Sequence, residues 1–205
     1  MNKYLKLAVS FAIIVSMTQD AMANLLTMPK SLLAAKQQIA FRSSTLAPLA
    51  FVRFCMEYPD DCKKPRVIFR GGPVRMTDER YASLVSINRK VNAAIRPQAN
   101  LRGVAGEQWL INPASGDCND YAVSKKHELR ELGWPEHSLF LSEVVTSWGE
   151  HHLVLVVRTD KGDLVLDNLN ASIRSVAQAR YQWVRAQRPG SPMSWHDVGP
   201  RSASI

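Results

Sequence analysis

The sequence predicts one α+β domain in which helices pack against an antiparallel β-sheet. Two segments in the middle of the chain repeat core-type residues at helical spacing, and the segments after them change to strand-like patterns. Helices that precede the strands, rather than alternate with them, favour this class over a parallel sheet. The 205 residues suit one domain, and a composition of 46% hydrophobic and 21% charged residues excludes a disordered or fibrous protein.

The first predicted helix begins after Thr77, a residue type that caps helix N-termini. Asp78 and Glu79 place negative charge in the first turn, where it suits the helix dipole, and Pro97 ends the segment. The residues that recur at helical spacing are Tyr81, Leu84, Val85, Asn88, Val91 and Ile95.

The second predicted helix runs from about residue 118 to 132, and Gly133 followed by Pro135 ends it. An ordered loop over 97–117 precedes it. For three loop residues, packing within the loop is favoured over lining a site: Gln108, Trp109 and Asn112.

The strands come next. Residues 138–148, 152–158 and 163–167 are predicted to form a meander with a turn at 159–162, and residues 181–185 are interpreted as a further strand.

The N-terminus has the pattern of a secretory signal peptide. Lys3 and Lys6 precede an apolar run over 7–17 that is short for a membrane span, and an Ala-Met-Ala site follows at 21–23. Polar residues break the apolar run, which favours cleavage over an uncleaved anchor. We therefore expect a mature chain from Asn24, located in the periplasm, with no stable membrane anchor.

The chain divides into four predicted parts. Residues 1–23 form the signal peptide, 24–50 an N-terminal arm with one short helix, 51–198 the globular domain and 199–205 a C-terminal tail. The formal net charge is +8, but the basic residues are scattered. An exported protein without a basic arm is not expected to bind nucleic acid.

The three cysteines are interpreted in the light of export to an oxidising compartment. Cys55 and Cys62 flank a Pro-Asp-Asp turn, and their spacing predicts a disulfide. Cys118 is then unpaired, which leaves an intermolecular bridge, a reactive thiol or a buried inert thiol. Its position at the start of the second helix favours a reactive thiol, because free backbone N–H groups and the helix dipole stabilise a thiolate.

A cysteine nucleophile needs a base, and the base needs an orienting acceptor. His151 and His152 open a predicted strand, and only one of them can face the nucleophile, since neighbouring strand residues face opposite sides. In a hairpin centred on the 159–162 turn, residue 152 pairs with about 169, so Asp167 falls within reach of its imidazole. The remaining histidines are interpreted as surface or tail residues: His127, His137 and His196.

Three segments, GDCNDYAVSKKHELRELGWP, HHLVLVV and LVLDNLN, resemble the bacterial transglutaminase-like cysteine peptidases, the group that contains the LapG-type periplasmic proteases. The likeness covers roughly residues 50–198. It implies a papain/transglutaminase-like α+β fold, with a nucleophile helix packed on the sheet. It also implies a catalytic triad of Cys118 as nucleophile, His152 as base and Asp167 as its orienting acceptor.

The resemblance further implies a periplasmic endopeptidase that cleaves large surface adhesins and controls biofilm release, under an inner-membrane regulatory receptor. No cofactor is required, but some members bind calcium through acidic residues around the nucleophile. Asp117, Asn119 and Asp120 occupy those positions, with Asn119 replacing Glu, so calcium affinity should be weaker or absent. Compensation of the helix dipole explains Asp117 and Asp120 almost equally well.

Three alternative functions are compatible with these site residues. The first is a cysteine endopeptidase acting through a thioester intermediate that water hydrolyses. The second is a transglutaminase or amidase that uses the same triad, with an amine resolving the thioester in a transglutaminase. The third is a non-catalytic binding module on the same fold.

Overall fold

The computed structural model describes residues 27–34, 37–63, 72–101 and 103–200. The predicted signal peptide (1–23) and the last five residues of the predicted tail (201–205) lie outside this part of the chain. Among the described helices, none combines the length and the apolar character needed to cross a membrane.

A seven-stranded sheet, antiparallel throughout, forms the centre of the molecule, in the order β1-β9-β8-β4-β5-β6-β7. A second, two-stranded parallel sheet pairs β2 with β3. The strands are β1 (Ile39–Thr45), β2 (Arg96–Pro97), β3 (Ser115–Gly116), β4 (Leu139–Val145), β5 (His151–Thr159), β6 (Gly162–Leu166), β7 (Arg174–Ser175), β8 (Gln182–Arg188) and β9 (Ser191–Pro200).

The helices lie against one face of this sheet, which confirms the predicted α+β class. Helix α5 packs against β5 and β4, and α3 packs against α5. The α-helices are α1 (Lys30–Ala34), α2 (Leu49–Glu57), α3 (Asp78–Ala94), α4 (Gly103–Gly106) and α5 (Cys118–Glu131); two short 3-10 helices cover Pro59–Asp61 and Glu136–Ser138.

Two predicted helices are present with the expected ends. The Thr77 side chain caps α3 by accepting a hydrogen bond from the backbone N–H of Arg80. After α5, Gly133 adopts a φ of 81°, a left-handed conformation that glycine tolerates best. Every residue of the predicted α3 core stripe is buried.

Strand β5 is apolar along most of its length because both of its faces are buried. Leu153, Leu155 and Val157 join the core formed with the helices, whereas Val154 and Val156 join a second core on the other face. The neighbouring hairpin has the predicted register, since Leu155 pairs with Leu166 and Thr159 with Gly162. This register places the segment after β6 beside the beginning of β5.

Several boundaries differ from the sequence predictions. Strand β4, the first strand of the predicted meander, ends at Val145 rather than at residue 148. A turn follows it, in which the Thr146 backbone N–H donates to the Glu150 carbonyl. The predicted arm contains β1, an edge strand paired with β9, and β9 itself was not predicted. His196, assigned to the tail by sequence, therefore lies within β9.

The predicted disulfide is present, with a Cys55–Cys62 Sγ–Sγ distance of 2.02 Å. It links the end of α2, which sequence analysis had not identified as a helix, to the turn that follows. Cys118 forms no disulfide within the described chain.

Candidate active site

A cavity of about 380 Å³ opens where the start of α5 meets the start of β5 and the beginning of α2. Two of the predicted triad residues, Cys118 and His152, line this cavity. The described residues that line it are Pro48, Leu49, Ala50, Glu107, Trp109, Cys118, Asn119, Glu143, His151, His152, Leu153 and Arg185.

A capping box fixes Cys118 as the first residue of α5. The Asp117 carboxylate accepts the backbone N–H of Asn119 at 2.9 Å, and the Asp120 carboxylate accepts the backbone N–H of Asp117 at 3.0 Å. A side chain at Gly116 would collide with the Asp120 carboxyl group, so glycine is needed there for the cap to close. The sequence Gly-Asp-Cys-Asn-Asp therefore encodes a helix start with the thiol at its tip.

The thiol of Cys118 is half-buried and surrounded by negative charge. Burial raises its pKa to about 12, and the carboxylates of Asp117, Glu107 and Glu150 act in the same direction. A hydrogen bond from the backbone N–H of Leu153 acts against them. The thiol therefore needs a base to remove its proton, and the thiolate-stabilising effect of the helix start stays a prediction.

Beside the cavity, His152 is hydrogen-bonded to Asp167. The Nε2 atom of His152 lies 2.9 Å from Oδ1 of Asp167, and both side chains are buried. Because Nε2 is engaged, Nδ1 is the ring nitrogen left to exchange a proton. Its neighbour His151 is exposed and contacts Glu143 at 2.8 Å. His151 also lines the cavity, although the strand alternation had predicted that only one of the two histidines would face it.

Asp167 directly follows β6 and is held by four groups. Its Oδ1 accepts the backbone N–H of Leu169 as well as the His152 contact, and its Oδ2 accepts the Tyr181 hydroxyl and the Arg174 guanidinium. Burial alone would raise the pKa of this carboxyl, but the hydrogen bonds from His152 and Tyr181 prevail and hold it at about 2. Asp167 is therefore ionised in the pH range where peptidases act.

Sequence reasoning missed Arg174 and Tyr181. Tyr181 was interpreted only as a strand residue, and no motif distinguishes Arg174 from other surface arginines. The two side chains also contact each other, with the Arg174 guanidinium carbon 5.3 Å from the centre of the Tyr181 ring. They meet Asp167 only because the chain between β6 and β8 folds back beside His152 and Asp167.

Of the three loop residues considered as site-lining candidates, one lines the cavity. Trp109 is buried against Phe51 and Phe54, and its indole N–H donates to Glu107 at 3.0 Å. Asn112 instead donates from its side chain to Glu128, away from the cavity. The remaining candidate, Gln108, lines a separate, smaller cavity beside the start of α5.

One protein-family model matches most of the chain. The family model described as bacterial transglutaminase-like cysteine proteinase BTLCP matches residues 41–203, which is more than half of the chain. The chain belongs to this family of cysteine peptidases. The match includes all three triad candidates of this transglutaminase-like peptidase, and it begins within β1, so the edge strand is part of the family domain.

Solved structures similar to this peptidase include three of LapG from Legionella pneumophila. One is 19% identical and covers 53% of this chain and 72% of that chain, with a TM-score of 0.45. The EGTA-treated structure gives 19% identity, the same two coverages and a TM-score of 0.44. The calcium-bound structure is 18% identical over 75% of this chain and 93% of that chain, with a TM-score of 0.48. A search of curated proteins finds no match.

The residues predicted to bind calcium in this peptidase are engaged in other contacts. The Asp120 carboxylate accepts the backbone N–H groups of Leu110 and Asp117, while Asn119 donates its amide to Glu107. Burial raises the pKa of Asp120 to about 6, which weakens it as an anionic ligand. Among the described residues, no group of three His, Cys, Asp or Glu side chains is arranged to hold a metal ion.

These groups, as arranged, do not fit calcium, which takes six to eight oxygen ligands. The predicted calcium site at Asp117, Asn119 and Asp120 stays a prediction.

Proposed function

We propose that this peptidase is an exported endopeptidase that cleaves protein substrates with a triad of Cys118, His152 and Asp167. The observation that carries the proposal is the hydrogen bond between His152 and Asp167, formed beside a cavity that His152 shares with Cys118. Nucleophile, base and orienting carboxylate thus come from α5, from β5 and from the segment after β6. This set of roles matches the requirements of acyl transfer by a thiol.

In the proposed mechanism, the proton leaves Cys118 as the sulfur attacks the scissile carbonyl. Because burial keeps the resting thiol protonated, Nδ1 of His152 acts as a general base during the attack. The buried, ionised carboxylate of Asp167 stabilises the imidazolium that forms. The backbone N–H of Cys118, free at the first position of α5, stabilises the oxyanion.

The second half of the reaction returns the enzyme to its starting state. His152 donates its proton to the leaving amine, and the acyl group remains on the Cys118 sulfur as a thioester. The neutral imidazole then removes a proton from water, which attacks the thioester and releases the carboxylic acid product. The imidazolium then returns this proton to the departing sulfur, which regenerates the free thiol and the neutral imidazole.

Export and substrate form part of the same proposal. The signal-like segment at residues 1–23 supports a periplasmic location, and the Cys55–Cys62 disulfide suits an oxidising compartment. We propose a surface or periplasmic protein, such as a large adhesin, as the substrate, and an inner-membrane receptor as the regulator, both by analogy with the LapG-type proteases.

Cleavage of an adhesin N-terminal fragment by the purified protein tests the proposed activity. We expect cleavage by the wild type and a loss of at least a thousandfold in Cys118→Ala and in His152→Ala. The control is His137→Ala, which removes a histidine outside the cavity and should retain activity. Equal cleavage by wild type and Cys118→Ala would overturn the proposal. Incorporation of a labelled amine into a glutamine donor, without peptide hydrolysis, would instead establish a transglutaminase.

A further inference from the structure

A further cavity, of about 310 Å³ and here called the basic cavity, lies at the opposite end of β5 from His152. Its position follows from β5: Arg158 lies six residues after His152, which corresponds to about 20 Å along an extended strand. This cavity shares no described lining residue with the cavity that Cys118 and His152 line. The lining consists of Phe41, Arg42, Arg158, Arg188, Pro189 and His196.

Arg158 is held rigidly in this cavity. Its Nε and Nη2 atoms donate to the buried carboxylate of Asp163 at 3.0 and 2.7 Å, and Nη2 also donates to the Ile39 carbonyl. The guanidinium carbon lies 5.3 Å from the ring centres of both Phe41 and Phe140. The third nitrogen, Nη1, makes no hydrogen bond to the described residues, so a fixed donor remains for a ligand.

The other two arginines bring positive charge that no carboxylate in the described part of the chain balances. Arg42 and Arg188 are exposed and form no salt bridge there. The two nearby carboxylates have other partners than Arg42 and Arg188: Asp163 pairs with Arg158, and Asp197 accepts the Ser43 hydroxyl at 2.9 Å. Three guanidinium groups against these two carboxylates leave an excess of one positive charge at this cavity.

We propose that this basic cavity binds a phosphate group. Guanidinium groups bind phosphate oxygens through paired N–H donors, and an already oriented guanidinium such as that of Arg158 loses little entropy on binding. Phe41 and Pro189 add apolar walls that suit the organic part of a phosphate ester. The phosphate is either free inorganic phosphate or the headgroup of an anionic phospholipid, since both present the same oxygens.

Two binding measurements on the full chain distinguish these sources. Isothermal titration calorimetry with inorganic phosphate tests the free ion. Co-sedimentation with phosphatidylglycerol vesicles, compared with phosphatidylcholine vesicles, tests the lipid. We expect saturable binding in at least one of them, weakened at least threefold by Arg42→Gln and by Arg188→Gln. Melting temperatures should stay at the wild-type value, because neither side chain has an ionic partner in the described chain.

The matched control is Arg89→Gln, which removes the same charge from an exposed position on α3 and should leave binding unchanged. Phosphate binding alone would assign the site to the free ion, and selective binding of phosphatidylglycerol vesicles would assign it to the lipid. Absence of both, or equal weakening by Arg89→Gln, would overturn the proposal.

Discussion

Replacing Lys125 by methionine should stabilise the protein at neutral pH. Lys125 lies on α5, seven residues after Cys118, and its side chain is fully buried. Its ammonium nitrogen has no hydrogen-bond partner in the described structure and lies 5.8 Å from the centre of the Tyr121 ring. Burial lowers the pKa of Lys125 from 10.5 to about 7, although the charge of Asp167 opposes this shift.

The pH dependence follows from this lowered pKa. The folded state favours the neutral amine, whereas the unfolded chain stays protonated up to about pH 10.5. Stability is therefore greatest above pH 10.5 and is lost as the pH falls toward 7, by about 1.4 kcal/mol per pH unit. Over the whole interval the loss is at most roughly 5 kcal/mol, and it is complete just below pH 7.

Urea unfolding of Lys125→Met between pH 6 and pH 10 measures this effect. Methionine has a similar length and no charge, so we expect a gain of about 3 kcal/mol in unfolding free energy at pH 7 and little gain at pH 10.

The matched control is Lys126→Met. Lys126 is also buried, but its ammonium lies 2.8 Å from Glu136, so its loss should destabilise the protein. A lower unfolding free energy of Lys125→Met at pH 7, or a wild-type pH dependence of its stability, would show that the buried ammonium does not destabilise the protein.

Three further predictions concern the triad, calcium and the disulfide. Tyr181→Phe removes a hydrogen bond to Asp167, so the pKa of Asp167 should rise from about 2. We expect kcat/KM to fall about tenfold, and the acidic limb of the pH profile of kcat/KM to move to higher pH. Exchanging EGTA for calcium should change the cleavage rate less than twofold, because Asn119 contributes no charge and Asp120 is engaged in capping. Replacing Cys55 and Cys62 by serine should lower the unfolding free energy by about 2 kcal/mol, measured by urea unfolding.

Each of these predictions can fail separately. An unchanged pH profile in Tyr181→Phe would show that the tyrosine does not act on Asp167. Loss of cleavage in EGTA and recovery with calcium would show that the capping contacts rearrange around the ion. A double serine variant as stable as the wild type would show that the turn after α2 is held without the disulfide.

The core of the candidate site could be predicted because its geometry is local. The start of α5 is encoded by five consecutive residues, 116–120, and a four-residue turn sets the register that brings Asp167 beside His152. Side-chain periodicity is equally local, and the α3 core residues followed from it. In these segments the interactions that decide the structure are close together in the sequence.

The missed features depend on contacts between distant parts of the chain. Strand β1 pairs with β9, more than 140 residues away, and neither segment alone has strong strand periodicity. Helix α2 is only nine residues long, and its buried face rests on Phe51 and Phe54 packing against Trp109. The raised pKa of Cys118 arises in the same way, from burial beneath residues that the sequence pattern does not bring together.

The most direct test of the central claim is detection of the acyl intermediate on Cys118. Acid quenching of the peptidase during turnover of an adhesin fragment, followed by digestion and mass spectrometry, would locate the bound acyl group. We predict a thioester on the peptide that contains Cys118, and its absence in Cys118→Ala. An adduct on another residue, or continued cleavage by Cys118→Ala, would contradict it.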